Sequence, residues 1–406
     1  MNFPYFLAKR ITFLGKRTFS KLIVRITVGA IALAIAAIIL SVAVLRGFKS
    51  EVTAKQRGFF GDVVVLRYDL NSSYENSPIA LDTTELNTLT KLPNVAGIHA
   101  FATKPGIINV NDEVEGVLLK GVDTSYDQSY LKSILVAGDT IDFRTDHDAG
   151  KQILISKYLA NRLMLKEGDD FIMYFVQQPI RKRKFEIKGI YNSGSEELDK
   201  IYVIGSLNLI RRLNNLDSAA VGGYELRIHD FSKLQQTTNE IDDMVPMDLH
   251  AVSIRDQMAD IFQWLDLLDM NTTIIFILVT LVAIINMISA LLITILERTS
   301  MIGILKALGF HNNGVRRVFM YNALYLIGLG LILGNLIGLG LYFFQDYTQF
   351  FKLDEKTYYI SYVAVKLYWT DIALINLSVV IIGMLALFIP SLLITKISPV
   401  RAISFK

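Results

Sequence analysis

Four stretches of this chain carry no Asp, Glu, Lys or Arg, and each is at least as long as the roughly 20 residues a helix needs to cross a bilayer. They are residues 26–45, 272–296, 318–344 and 372–395. In the second, the insertion preference of its Ile, Leu, Val and Phe side chains, about −0.3 kcal/mol or better each, outweighs the single Asn286. Backbone amides in hydrocarbon must be bonded within their own segment, so all four stretches are predicted to be transmembrane helices. A chain of 406 residues that is 52% hydrophobic and 19% charged fits this, and leaves material for a sizeable water-exposed part. Its net charge of +3 gives no reason to expect a nucleic-acid partner, and with no cysteine there is no disulfide framework.

Charge next to the spans sets the orientation. Residues 1–25 hold Lys9, Arg10, Lys16, Arg17, Lys21 and Arg25 without an acid. Residues 297–317 hold Arg298, Lys306, Arg316 and Arg317 against Glu297, and residues 396–406 add Lys396, Arg401 and Lys406. These three segments are predicted to be cytoplasmic, which puts both termini inside and residues 46–271 and 345–371 outside. Trp264 and Trp369 precede the second and fourth windows, where an outer aromatic belt belongs. The first window follows a long basic lead and lacks a polar cleavage region, so it reads as an uncleaved span. Between residues 5 and 25, basic side chains alternate with Phe6, Leu7, Ile11, Phe13, Leu14 and Phe19, which suits an amphipathic helix along the inner leaflet.

Residues 46–271 are enough to bury a core of their own. Strand patterns at 62–68, 171–175, 184–190 and 225–228, a hairpin-like pattern of 106–110 with 114–122 around Asn111, Asp112 and Glu113, and a helical stretch at 231–244 predict an α+β domain. Met258, Ile261, Phe262, Leu265 and Leu268 share a helical face that should run on into the second span. Gly330, Gly334 and Gly338 leave a smooth strip on the third span for close helix contact, within the chain more readily than between copies. Pro390 is expected to kink the fourth.

Between the second and third windows lies ERTSMIGILKALGFHNNGVRRVF, residues 297–319. Met301, Ile302, Leu305 and Leu308 fall at helical spacing, Thr299 or Ser300 can cap the start, and Gly309 stands where a left-handed residue ends a helix. A short helix is predicted at the cytoplasmic surface. The stretch resembles the loop between the second and third spans of ABC permeases of the FtsX/MacB superfamily, E-R-x-x-E-I-G-x-L-R-A-L-G followed by V-x-x-x-F. Glu297, Arg298, Ile302, Gly303, Leu305, Ala307, Leu308, Gly309, Val315 and Phe319 match; Lys306 replaces the usual Arg, and Met301 the Glu before I-G. Further resemblance is to the lipoprotein-releasing LolC/LolE permeases. Ser41 to Phe48 is similar to their first-span exit, and 92–95, 119–123 and 155–163 with Gly168-Asp169 follow their outer domain, while 397–402 resembles the P-x-x-A ending of the superfamily.

The resemblance implies an α-helical membrane protein with four transmembrane helices plus a large α+β extracytoplasmic domain, in the cell inner membrane with that domain periplasmic. It implies that Glu297, Arg298, Ile302, Gly303, Leu305, Lys306, Leu308 and Gly309 form a coupling helix against an ABC ATPase subunit dimer, and that a second permease subunit, same or related, completes the complex. A hook at Gln177, Gln178, Pro179, Ile180 and Arg181, placed between strands 171–175 and 184–190, would recruit a periplasmic lipoprotein carrier. Leu40, Val44, Ile274, Ile277 and Leu278 would contact membrane lipid and the acyl chains of a lipoprotein substrate.

No G-x-x-x-x-G-K-[ST] occurs, so ATP is expected on the partner and this chain is expected to be a non-catalytic subunit without cofactor. His99, His147, His229, His250 and His311 show no metal-ligand spacing, and Asp146-His147-Asp148 reads as a solvated turn. Two other readings stay open: a MacB-like or FtsX-like mechanotransmitter acting on a soluble cargo or an envelope hydrolase, and a membrane-anchored sensor without transport.

Overall fold

The computed structural model describes residues 3–14, 18–69, 74–144, 149–358 and 360–392. The turn at 146–148 and the ending at 397–402 lie outside the described residues. The chain divides into two units, residues 1–50 with 264–352 and 363–406, and residues 51–263 with 353–362.

Among the described residues, four helices are long and apolar enough to cross a membrane: Thr18–Phe60, Ala259–Glu297, Asn312–Thr348 and Trp369–Ser391. The first continues well past its uncharged window, because residues 46–60 hold no proline and it stops only at Gly61, whose φ of 79° is left-handed. It also begins earlier than predicted. The amphipathic helix expected over residues 5–25 is instead Phe3–Leu14, and the residues from Thr18 belong to the first spanning helix. Tyr5 on the short helix meets the rings of Tyr321 and Tyr325 on the third span, each at 5.9 Å. Pro390 falls in the last described turn of the fourth helix, where its missing N–H removes one backbone bond.

The glycine strip explains a close contact between the third and first spans. Gly330, Gly334 and Gly338 are buried, and a Cβ on each would run into Ile31, Ile35 and Ala36 of the first helix respectively. The strip therefore serves contact within the chain. Asn335 and Asn376 bond each other reciprocally across the third and fourth spans, at 2.7 and 3.1 Å, so neither amide is left open to hydrocarbon.

The second unit is built on one sheet. Its strands are β1 Val63–Arg67, β2 Val95–Val110, β3 Glu113–Val122, β4 Leu135–Gly138, β5 Gln152–Ser156, β6 Asp170–Phe175, β7 Arg181–Tyr191, β8 Tyr202–Ser206, β9 Gly223–Ile228 and β10 Leu249–Ser253. Their order is β10-β1-β9-β2-β3-β8-β5-β7-β4, with β6 pairing both β2 and β7. Asn111 and Asp112 both take left-handed φ, 54° and 60°, which gives the β2–β3 hairpin a two-residue turn whose twist matches its strands. Most pairs are antiparallel; β3 with β8 and β5 with β7 are parallel, and the helix Lys157–Arg162 lies in the connection from β5 to β7.

Burial lowers the pKa of His99, on β2, below its usual 6.5. The unfolded chain then binds a proton that the fold does not, so stability is complete above the unfolded value and falls as pH drops through the folded one. Thermal midpoints measured from about pH 7.5 down to about pH 5 should show this fall, and His99→Gln should flatten it.

Candidate functional site

The 297–311 connection forms a helix, Thr299–Ala307, closed as predicted by a left-handed Gly309 at φ 85°. Phe310 N donates to Leu305 O and Gly309 N to Lys306 O, the paired bonds of a Schellman ending. The start differs from expectation. Thr299 does not cap it: its hydroxyl donates backwards to Leu296 O at 2.7 Å, and the N-cap position falls to Arg298, which makes no capping bond. The helix thus follows so closely on the second span that a threonine side chain can still reach the preceding turn.

Ile302 and Gly303 are buried, Ile302 fully, among Ile295, Val315 and Phe319 in the core of the bundle. They were expected on the partner-facing helix, and within this chain their side of it packs inward. Glu297, Arg298, Leu305 and Lys306 are half-buried. Exposed are Ser300, Ile304 at 51%, Ala307, Leu308 at 79% and Gly309; among them Ile304, Ala307 and Leu308 form an apolar ridge at i, i+3, i+4 that motif matching alone did not single out as a face. Arg316 is likewise drawn inward, its Nε donating to Ser391 at 2.8 Å with the guanidinium over Phe388, whereas Arg317 is exposed.

Of the residues expected to meet lipid, Ile274, Ile277 and Leu278 are 48%, 55% and 58% exposed, Val44 is at the margin, and Leu40 is half-buried. Exposed Ile275, Leu281, Val282 and Ile285 extend this apolar surface round the second helix. Beyond the apolar windows the first helix is tied to its neighbours. Lys49 pairs with Asp269 at 2.6 Å, Phe48 meets Trp264 edge-on at 5.5 Å, and Arg46 pairs with Asp371 at 2.8 Å. Gly47 leaves room for the backbone of Ala364 and Val365, which accounts physically for the Gly-Phe exit of the first span.

The hairpin expected to form a hook is shorter than predicted. β7 starts at Arg181, paired with Phe175, so residues 176–180 alone make the tip and the residues from Arg181 to Arg183 lie in the ladder. Arg181 donates to the carbonyls of Arg212 and Leu213, at 3.1 and 2.9 Å, and Gln177 to Leu213, bracing the hairpin against the last turn of the helix Leu207–Asn214. Gln178, Pro179 and Ile180 are exposed, Ile180 at 73%.

One constellation was not foreseen. The last turn of the helix Thr18–Phe60 sits in a charged socket: Arg227 on β9 donates to the carbonyls of Arg57 and Gly58, while Lys120 on β3 and the Tyr126 hydroxyl donate to that of Phe59. Lys120 also bonds Glu225 at 2.6 Å, and both are buried. Burial pulls the Lys120 pKa down, opposed by Glu225. Arg57 pairs with the buried Asp62, whose carboxylate also accepts from Ile228 N. The available signal was a lysine inside the otherwise apolar run 117–122.

Residues 273–399 match the family model described as FtsX-like permease C-terminal, and residues 26–244 the one described as MacB-like periplasmic core domain. The chain is similar to the lipoprotein-releasing system transmembrane protein LolC of Neisseria meningitidis serogroup B, 23% identical over 96% of this chain and 95% of that protein. It is 22% identical to LolC of Xylella fastidiosa over 93% and 92%, and 21% identical to LolE of Haemophilus influenzae over the full length of both. The periplasmic region of MacB from Actinobacillus actinomycetemcomitans aligns with a TM-score of 0.35 at 11% identity, covering 52% of this chain and 98% of that one, too slight a likeness to carry an inference.

Proposed function

Because this chain belongs to the family of MacB-like periplasmic core and FtsX-like permeases, we propose that it is the permease subunit of an ABC complex that extracts lipoproteins from the inner membrane and passes them to a periplasmic carrier. Both basic termini lie on the cytoplasmic side, with separate ATPase subunits and a second permease beside it. The observation that carries this reading is the extent of the likeness: relatives named for lipoprotein release match spans, extracytoplasmic domain and the 297–311 connection in one continuous alignment.

The physical task fits the parts. Each acyl CH₂ leaving the bilayer costs about 0.8 kcal/mol, so a lipoprotein is lifted only with work supplied from outside. Apolar, exposed Ile274, Ile277 and Leu278, with Leu40 and Val44, offer the chains a surface of the same kind as the lipid they leave. The ridge Ile304, Ala307 and Leu308 is where an ATPase would grip, and residues 176–180 are where a carrier would dock. Ile180→Asp is expected to weaken carrier pull-down several-fold with the domain still folded, since Ile180 is exposed, whereas Arg181→Glu should also loosen the hairpin. Equal pull-down by Ile180→Asp and the parent would reject this docking point.

Purification from native membranes, with identification of what accompanies the protein by mass spectrometry, tests the whole. An ATPase with triacylated lipoproteins supports extraction. The MacB-like core domain match favours a second reading, mechanotransmission to a soluble cargo or envelope hydrolase; an ATPase with such a partner and no lipoprotein would select it. Absence of any ATPase would reject both.

A further inference from the structure

Near the end of the helix Thr18–Phe60, Val52, Gln56, Phe59 and Phe60 share one face at i, i+4, i+7, i+8, and all four are buried, Val52 and Phe59 completely and Gln56 to 1% exposure. Three of them are apolar. Gln56 is an amide with donors on Nε2 and an acceptor at Oε1, and neither atom has a hydrogen-bond partner. Folded proteins tolerate few such groups, because each gives up its bonds to water without replacement. The contrast with the next turn is sharp: there the helix carbonyls are bonded by Arg227, Lys120 and Tyr126. Tyr130, whose ring lies against Gly58, is a second buried side chain in the same joint with its hydroxyl unbonded. This setting of the helix satisfies the backbone at the expense of the side chains.

We propose, taking the ATP-driven extraction proposed above as given, that Gln56 is a positioning residue that biases this joint toward a second setting of the helix end, reached during the ATP cycle, in which its amide is hydrogen-bonded. The unbonded amide raises the energy of the present setting without touching cargo or nucleotide. It therefore narrows the gap that ATP binding must close, since an equilibrium moves only by the difference in free energy between its two states. An apolar residue of the same shape removes that bias and deepens the present setting.

The chain has no cysteine, so Gln56→Cys introduces a unique thiol. In the purified complex with its ATPase, maleimide should label it slowly without nucleotide and several-fold faster with ATP and vanadate. In parallel, Gln56→Met should raise the thermal midpoint by a few degrees and slow ATP-driven release several-fold, with ATP hydrolysis retained. Equal labelling in both nucleotide states overturns the proposal. So does a lower midpoint for Gln56→Met, which would mean that the amide is already satisfied, or a raised midpoint with unchanged release, which would make it a structural burden only. If the parent complex hydrolyses ATP but releases no lipoprotein, the proposed cargo is wrong, and the labelling comparison still decides the role of Gln56.

Discussion

Leu308→Asp is expected to strip the ATPase from the purified complex while leaving the permease folded. Leu308 is 79% exposed and touches little of its own bundle, so the substitution costs the isolated chain almost nothing. In the complex the same position would enter an apolar socket. There the lost burial is worth about 1.5–3 kcal/mol, and a buried, unpaired carboxylate adds to it. At about 1.4 kcal/mol per tenfold change, affinity should fall by at least about an order of magnitude. Ile304→Asp should do the same. Leu305→Asp also brings a carboxylate to this helix, but Leu305 is half-buried, so its effect mixes coupling with folding. Ile302→Asp separates the two fully: buried in the bundle core, it should lower the thermal midpoint steeply before any partner is considered. An intact ATPase complex with normal ATP-driven release in Leu308→Asp would sink the assignment of the ridge.

Gly334→Leu should have the second large effect, on the bundle itself. A Cβ at 334 would stand 2.7 Å from the Cβ of Ile35 and 2.9 Å from the carbonyl oxygen of Ala32, and the latter is helix backbone that cannot swing aside. Overpacking a core costs about 1–3 kcal/mol where neighbours can give way; here the third span must draw off the first along the whole glycine strip, so the loss should reach or exceed the top of that range. Gly340 on the same helix has nothing within 4 Å of its would-be Cβ, so Gly340→Leu is the matched control and should insert and melt like the parent. Equal melting of the two variants in detergent would show that the strip is not a contact.

Much of the fold was legible because single-residue chemistry decides it. An uncharged run of bilayer length has few alternatives to a spanning helix, and Asn111-Asp112-Glu113 between alternating strands marked a hairpin, although Glu113 proved to belong to the ladder. Gly309 ends its helix from any context, since its left-handed φ suits glycine above all. The candidate site was legible by position and illegible by direction. The motif at 297–309 marked the right helix, yet it could not tell Ile302, which faces inward, from Ile304, which faces out; both are isoleucines two residues apart, and only the packing of Val315 and Phe319 beside them fixes the helix's rotation. Arg181 likewise read as part of the hook, and is bonded to the end of a helix some thirty residues away in sequence.

By itself, then, the sequence determined the four spans, the existence of an α+β domain between the first and second, the hairpin turn and the connecting helix with its stop signal, because each depends on residues within a turn or two of one another. Tertiary structure alone decided that the glycine strip meets Ile31 and Ile35, that the first helix runs on to Phe60 to be gripped by Lys120 and Arg227, and that Gln56 is buried without a bond. Those facts join residues as far apart as 31 and 330. Contacts at that separation are set by how the faces of several elements pack at once, and no local pattern records them.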